Sequence, residues 1–163
     1  MTAARASARR QRHGSRGVTA LEFALVSPLV FLVLFFSIEM GIAMMADATL
    51  ARTAAVISRQ GQLGGFSDDD CNTAVRQALQ QGMSRWVYDP GNLLVDVSVY
   101  SPGNYTPAPP DDENYIPACN TGERGDLVVY RLGFSRTGFS GVLHWLGIDV
   151  LRFERTIIIQ NEP

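Results

Sequence analysis

The feature that most constrains this chain is an uncharged apolar run from Phe23 to Ile38, with a single acid, Glu22, directly before it. A carboxylate next to hydrocarbon is costly, by about 3 kcal/mol near the centre of a bilayer and by less towards its edge. Five arginines and no acids precede Val18. We therefore expect the arginine-rich leader, residues 1–17, to stay on the cytoplasmic side of a membrane. We also expect Glu22 to need a partner.

A long N-terminal helix is the first element that the sequence predicts. Val18 to Ala46 would form about 43 Å of helix at 1.5 Å per residue, which exceeds the bilayer core of about 30 Å. We place the membrane part at about residues 22–46. A second acid, Glu39, interrupts the end of this stretch. It either pairs within an assembly or marks the periplasmic edge of the membrane.

The same helix is predicted to continue beyond the membrane. Leu50, Ala54 and Ile57 recur at positions i, i+4 and i+7, which is the spacing of one apolar helix face. Gly61 is expected to end the helix. The predicted element therefore covers residues 18–60, and residues 61–163 form a periplasmic domain.

This domain is predicted to be α+β, with one helix and a roughly three-stranded, mainly antiparallel sheet. Ser67 and the three acids after it indicate a helix start. A calcium loop would need glycine and glutamate where Thr73 and Leu79 stand. The predicted helix runs from Cys71 to Val87 with its apolar residues on one face. The predicted strands cover residues 93–100, 126–134 and 148–160, and the second has two apolar faces, which indicates a central position.

Two segments of the domain are predicted to be irregular. Residues 101–125 form a proline-rich loop. Residues 138–147 contain several apolar side chains, which favours a short amphipathic helix docked on the sheet. The alternative is an exposed apolar patch for a partner or for the membrane surface.

The two cysteines, Cys71 and Cys119, both follow the apolar run. In a domain exported from the cytoplasm they most simply form one disulfide. Closing a loop of this length would stabilise the fold by about 4 kcal/mol in the chain-entropy model. The alternative is a pair of buried thiols.

The sequence offers no set of residues for catalysis. Its two histidines are His13, in the leader, and His144, inside an apolar segment. No phosphate-binding loop, nucleophile motif or metal-spaced cysteine pair is present. The net charge of −2 gives no argument for nucleic acid. We expect a structural or assembly protein, with no enzymatic activity, no cofactor, no metal and no nucleic-acid partner.

Four parts of the sequence resemble one known family. They are the opening from Arg16 to Val26, the pair Pro28-Leu29, the block Ile38–Gly41, and the ending Gln160–Pro163. The opening resembles a class III signal peptide, as found in type IV pilins and pseudopilins. Together the four parts resemble the TadE-like group, TadE or TadF, of minor pilins in tight adherence (Tad, or Flp-type) pilus systems.

The resemblance implies a set of site residues. A prepilin peptidase would cut after Gly17, in the context of Arg16 and Phe23, and leave 146 residues that begin at Val18. The new α-amine on Val18 is positively charged near neutral pH. It would pair with Glu22 of a neighbouring subunit inside an apolar assembly, because an unpaired buried charge is strongly disfavoured.

The resemblance also implies partners, a place and a role. The partners would be the prepilin peptidase, other pilins or pseudopilins of the same system, an inner-membrane assembly platform and membrane lipid. The chain would lie in the bacterial inner membrane with its domain in the periplasm, and it would assemble or prime a pilus for adherence. Incorporation into the extracellular pilus stays open.

Two alternatives to a pilin remain. A secreted soluble protein would be cut at the A-x-A site of Ala46–Ala48 and would begin at Thr49. An uncleaved single-span protein would keep its leader and carry a binding domain outside the membrane.

Overall fold

The computed structural model describes residues 16–66, 70–87, 89–100, 117–139 and 141–162. Its elements are the helix α1 (Arg16–Gln62), the helix α2 (Cys71–Gly82), the strand β1 (Leu93–Val99), the strand β2 (Leu127–Arg136), the short helix α3 (Val142–Trp145) and the strand β3 (Leu151–Gln160). A 3-10 turn at Pro90–Asn92 leads into β1. The predicted α+β class, with a long helix before a small domain, is confirmed.

The three strands form one antiparallel sheet in the order β1-β2-β3. Val95 pairs with Leu132, and Tyr130 pairs with Ile157. The central position predicted for β2 from its two apolar faces is therefore confirmed. The strand β2 ends at Arg136 rather than at residue 134, and β3 begins at Leu151 rather than at residue 148. Ile148 instead donates its backbone N–H to Leu143 and closes the turn after α3.

The second half of α1 covers the sheet and contacts α2. The predicted face of Leu50, Ala54 and Ile57 is buried, and Ala46 extends it one turn towards the N-terminus. These residues share a core with one face of β1 and β2. The prediction that the second half of α1 is amphipathic is therefore confirmed.

The end of α1 corrects the role assigned to Gly61. The helix continues through Gly61 to Gln62, and Gly64, with a φ of 72°, follows it. Gly61 is needed for packing, since a Cβ there would lie 1.8 Å from the hydroxyl oxygen of Tyr130. The left-handed residue that ends the helix is Gly64, whose N–H bonds to the carbonyl of Gly61.

The helix α2 is shorter than predicted. It ends at Gly82 rather than at Val87, and the N–H groups of Trp86 and Val87 both bond back to the carbonyl of Met83. The turn keeps apolar residues at three- and four-residue spacing, so the sequence pattern did not distinguish it from helix. Gly82 also allows a close approach to α1, because a Cβ there would lie 2.4 Å from Cγ2 of Thr53. The predicted core face holds: Cys71, Val75, Leu79 and Met83 are buried.

A disulfide joins Cys71 and Cys119, whose Cα atoms lie 5.8 Å apart. The pairing expected from the sequence is therefore confirmed. Residues 118–120 run beside the outer edge of β1, where the N–H and C=O of Val97 bond to Ala118 and Asn120. The disulfide thus attaches the start of α2 to a segment that covers this edge. Residues 67–69, with the predicted cap Ser67, and residues 101–116 of the predicted loop lie outside the described ranges.

The outer face of the sheet carries a row of charges. Asp96 of β1 is buried, although its alternation with Val95 and Val97 predicts an outward position. Arg131 lies between Asp96 and Glu154, at 3.8 Å and 3.1 Å from their carboxylate oxygens. The guanidinium compensates the buried acid, so the row joins all three strands.

Candidate assembly site on the long helix

The first half of α1 is exposed over most of its length, from Val18 to Ile38. No residue is buried in its most apolar 18-residue window, and the segment is long and apolar enough to cross a membrane. Phe23 and Leu25 are 71% and 72% exposed. So much apolar surface is unfavourable in water. This single N-terminal apolar helix suggests membrane anchoring.

Val18 and Glu22 lie one helical turn apart within this exposed segment. Residues at i and i+4 share a helix face, and both side chains are exposed. No hydrogen bond or ion pair joins the Glu22 carboxylate to another residue of the described ranges. Arg16 and Gly17 form the first residues of α1. The roles assigned to these residues from the sequence remain predictions.

The second acid of the helix has a different environment. Glu39 is fully buried, and its Oε1 accepts a hydrogen bond from the backbone N–H of Phe139. Gly138 lies against the same oxygen, since a Cβ there would be 3.0 Å from it. The alternatives left open for Glu39 did not include this contact within its own chain. The contact joins residues 100 apart in sequence, so no local pattern could have indicated it.

A second polar contact fixes the domain on α1. Arg155 of β3 forms an ion pair with Asp47, two helical turns beyond Glu39. Both side chains are more than one third exposed, so the pair contributes at most about 1 kcal/mol. This ion pair was not predicted from the sequence. Its residues are 108 apart, and their charges alone gave no signal.

At the opposite end of the domain, the C-terminus contacts the end of α1. Glu162 donates its N–H to the carbonyl of Gln62. The side-chain amide of Asn161 donates to the carbonyls of Thr121 and Glu123. Asn161 and Glu162 therefore hold the last strand, the loop after the disulfide and the long helix together.

The polar groups of the domain do not form a metal cluster within the described ranges. A surface pocket of about 420 Å³ lies beside the end of α1, lined by Gly61, Gly122, Arg124 and Glu162 among others. His144 and Asp149 pair on the surface, with Nδ1 and Oδ1 2.6 Å apart. Both are more than two thirds exposed, so the pair lacks the shielded environment in which catalytic groups are usually tuned.

Comparison with known proteins agrees with the resemblance drawn from the sequence. No curated protein and no solved structure matches the chain. The family model described as TadE-like protein matches residues 17–59. These residues include the exposed apolar segment, Glu22, Glu39 and the amphipathic face of α1. The match suggests a minor pilin associated with a Tad pilus, which interacts with other components of the pilus. Over residues 17–59, about a quarter of its length, the chain is therefore similar to TadE-like proteins.

Proposed function

We propose that this protein is a minor pilin or pseudopilin that helps to assemble or prime a Tad-type pilus and is cut by a prepilin peptidase after Gly17. The mature chain begins at Val18 and stays in the inner membrane, with its domain in the periplasm, until it meets the other pilins at the assembly platform. It acts by binding other subunits rather than by catalysis.

The observation that carries this proposal is the contrast between the two acids of α1. Glu39 is buried against its own domain, whereas Glu22 is exposed in an apolar segment and has no partner among the described residues. An acid in hydrocarbon is stabilised by a cation brought close to it. Cleavage after Gly17 creates such a cation at Val18 of every subunit. One subunit's amine can therefore neutralise its neighbour's Glu22 and set the axial register between them.

The packing of α1 argues against a secreted soluble protein. A cut after Ala48 would remove Glu39, Ala46 and Asp47, which contact the domain. Ala46 is fully buried in the core. The fragment from Thr49 would expose that part of the core and would lose the contacts that Glu39 and Asp47 make with the domain.

The variant Glu22→Ala tests the pairing. It removes the acid and leaves the proposed cleavage site unchanged, so the leader should still be removed. Assembly should fail because the α-amine of the neighbouring subunit then has no carboxylate with which to form an ion pair. Processing is measured by the mass of the chain recovered from membranes, and assembly by its co-purification with sheared pili and by the number of pili on each cell.

The matched control is Ser37→Ala, in the same exposed segment. The Ser37 hydroxyl donates to the carbonyl of Val33 in its own helix, so it needs no group from a neighbour. This variant should be processed and should assemble as the parent does. Normal piliation in Glu22→Ala, or an equal loss in Ser37→Ala, would contradict the pairing.

A further inference from the structure

One apolar surface of the domain has no cover within the described chain. Trp145, at the end of α3, is 73% exposed. Leu146, Ile148 and Val150, in the connection to β3, are 47%, 43% and 52% exposed. We call these four residues the apolar ridge. Scattered exposed apolar residues are ordinary, but four within six positions of one loop form a patch.

The apolar ridge lies at the end of the domain that is nearest to the exposed half of α1. Glu39 contacts Phe139 and Gly138. The chain leaves the sheet at Arg136 and returns to it at Leu151, and these two residues pair with each other. The connection between them, residues 137–150, is therefore at the Glu39 end. The other end of the sheet lies beside Gln62, about 35 Å further along the helix at 1.5 Å per residue.

This end of the domain coincides with the end of the apolar run. The uncharged residues of α1 finish at Ile38, one position before the buried Glu39. The membrane segment expected from the sequence, residues 22–46, would extend further, but Glu39 and Ala46 are buried against the domain. We therefore place the headgroup layer near Glu39, where the uncharged run ends. The apolar ridge therefore occupies the depth at which the hydrocarbon ends, continuous with the surface of α1 that lipid covers.

The composition of the ridge suits a membrane surface. Tryptophan is enriched at the boundary between hydrocarbon and headgroups, since its ring is apolar and its N–H is a donor. Leu143 is buried against the domain, so α3 is held in place while Trp145 projects outwards. The one carboxylate between residues 141 and 150, Asp149, already has His144 as a partner, which lowers the cost of approaching lipid.

We propose that the apolar ridge inserts into the headgroup layer of the bilayer that α1 crosses, on the side of the domain. The helix and the ridge together form two attachments to one membrane. They hold the domain at a fixed tilt and depth before the subunit leaves the bilayer. This proposal rests on the membrane anchoring of α1, and it does not depend on which pilus component the subunit meets.

The test is fluorescence of the full chain in vesicles of phosphatidylcholine and phosphatidylglycerol. The protein has two tryptophans, so Trp86→Phe leaves Trp145 as the only emitter. Lipids brominated near the headgroup end of the acyl chain should quench Trp145 more strongly than lipids brominated near the bilayer centre. Acrylamide in the water should quench it several-fold less than it quenches a tryptophan at the far end of the domain.

Two reference proteins calibrate this measurement, both in the background without Trp86 and Trp145. Leu63→Trp places the emitter on an exposed site just beyond α1, where acrylamide should reach it and brominated lipid should not. Phe31→Trp places the emitter in the apolar run, where brominated lipid should quench it strongly.

The outcomes separate the ridge from the anchor. If Phe31→Trp is quenched by lipid and Trp145 behaves like Leu63→Trp, the proposal is overturned and membrane anchoring stands. Shielding of Trp145 from acrylamide without quenching by lipid would mean that a protein surface covers the ridge, which also overturns the proposal. Absence of lipid quenching in Phe31→Trp would overturn both the ridge and the anchor.

Discussion

Tyr130 is the largest side chain that is completely buried in the described core. Its hydroxyl lies against Gly61 of α1 and has no hydrogen-bond partner within the described ranges. A buried polar group without a partner costs free energy. The residue therefore fills the space between the sheet and the long helix at some cost in stability.

The first prediction concerns the pH dependence of stability. Burial raises the pKa of Tyr130 above its usual value of 10.0, because desolvation disfavours the phenolate. Above pH 10 the unfolded chain loses a proton that the folded chain keeps, so the free energy of unfolding falls as pH rises. Tyr130→Phe should reduce this fall and should be as stable as the parent, or more so, at neutral pH.

Chemical unfolding of the detergent-solubilised protein at several alkaline pH values measures this effect. The control is the same pair of proteins well below pH 10, where folded and unfolded chains both keep the Tyr130 proton and the two proteins should show the same pH dependence. An unchanged slope in Tyr130→Phe would show that other groups cause the alkaline destabilisation.

The second prediction uses two glycines of the same helix. Gly61→Ala would place a methyl group 1.8 Å from the Tyr130 hydroxyl oxygen, so the helix or the ring must move. We expect a loss of about 1–3 kcal/mol in stability, as for other overpacked cores. Gly41→Ala meets nothing within 4 Å. It should be neutral or stabilising by up to about 1 kcal/mol, because alanine favours helix.

Thermal unfolding followed by circular dichroism distinguishes the two variants. A common effect of both would point to the helix backbone rather than to the contact with Tyr130. A stable Gly61→Ala protein would mean that the end of α1 can move away from the sheet at little cost.

At the scale of elements, the contact between Glu39 and Phe139 attaches the β2–α3 loop to the helix. The third prediction is that Glu39→Ala releases this loop, because the backbone N–H of Phe139 loses its acceptor. Glu39→Gln keeps an oxygen at the same place and should retain most of the attachment. Hydrogen exchange of the Phe139 amide measures the effect, and equal protection in the parent and in Glu39→Ala would contradict it.

The elements differ in how far the sequence predicted them. The face of Leu50, Ala54 and Ile57 was predicted correctly, since a period of 3.6 residues is a local signal. The central position of β2 followed from apolar residues on both of its faces. The segment around α3 has features of both alternatives, a docked helix and an exposed apolar patch, because Leu143 is buried while Trp145 is exposed. The partner of Glu39 could not be predicted, since contacts between distant residues leave no periodic pattern.

At the scale of the whole molecule, one helix serves two environments. Among the described residues, none covers the apolar surface of its first half, whereas its second half is part of the domain core. The transition occurs at Glu39, where the domain first contacts the helix. In the assembly that we propose, the subunit would exchange lipid for other helices without rearranging its domain.

The proposed assembly site comes from the sequence, and the structure adds only that Val18 and Glu22 are exposed. Glu22 was identified by the cost of an acid beside an apolar run, and the structure describes it as exposed. The roles of Gly17 and Val18 came from the resemblance alone. They depend on cleavage of a peptide bond, which the structure of the uncleaved chain cannot show.

The measurement that tests the account most directly is the N-terminus of the mature protein, determined by mass spectrometry on the chain purified from membranes of the cells that naturally produce it. We predict a chain that begins at Val18, with both cysteines joined in the Cys71–Cys119 disulfide. A chain that begins at Thr49 would contradict the pilin account and support a secreted protein. A chain that retains residues 1–17 would contradict the proposed pairing, because no α-amine would exist at Val18 to meet Glu22.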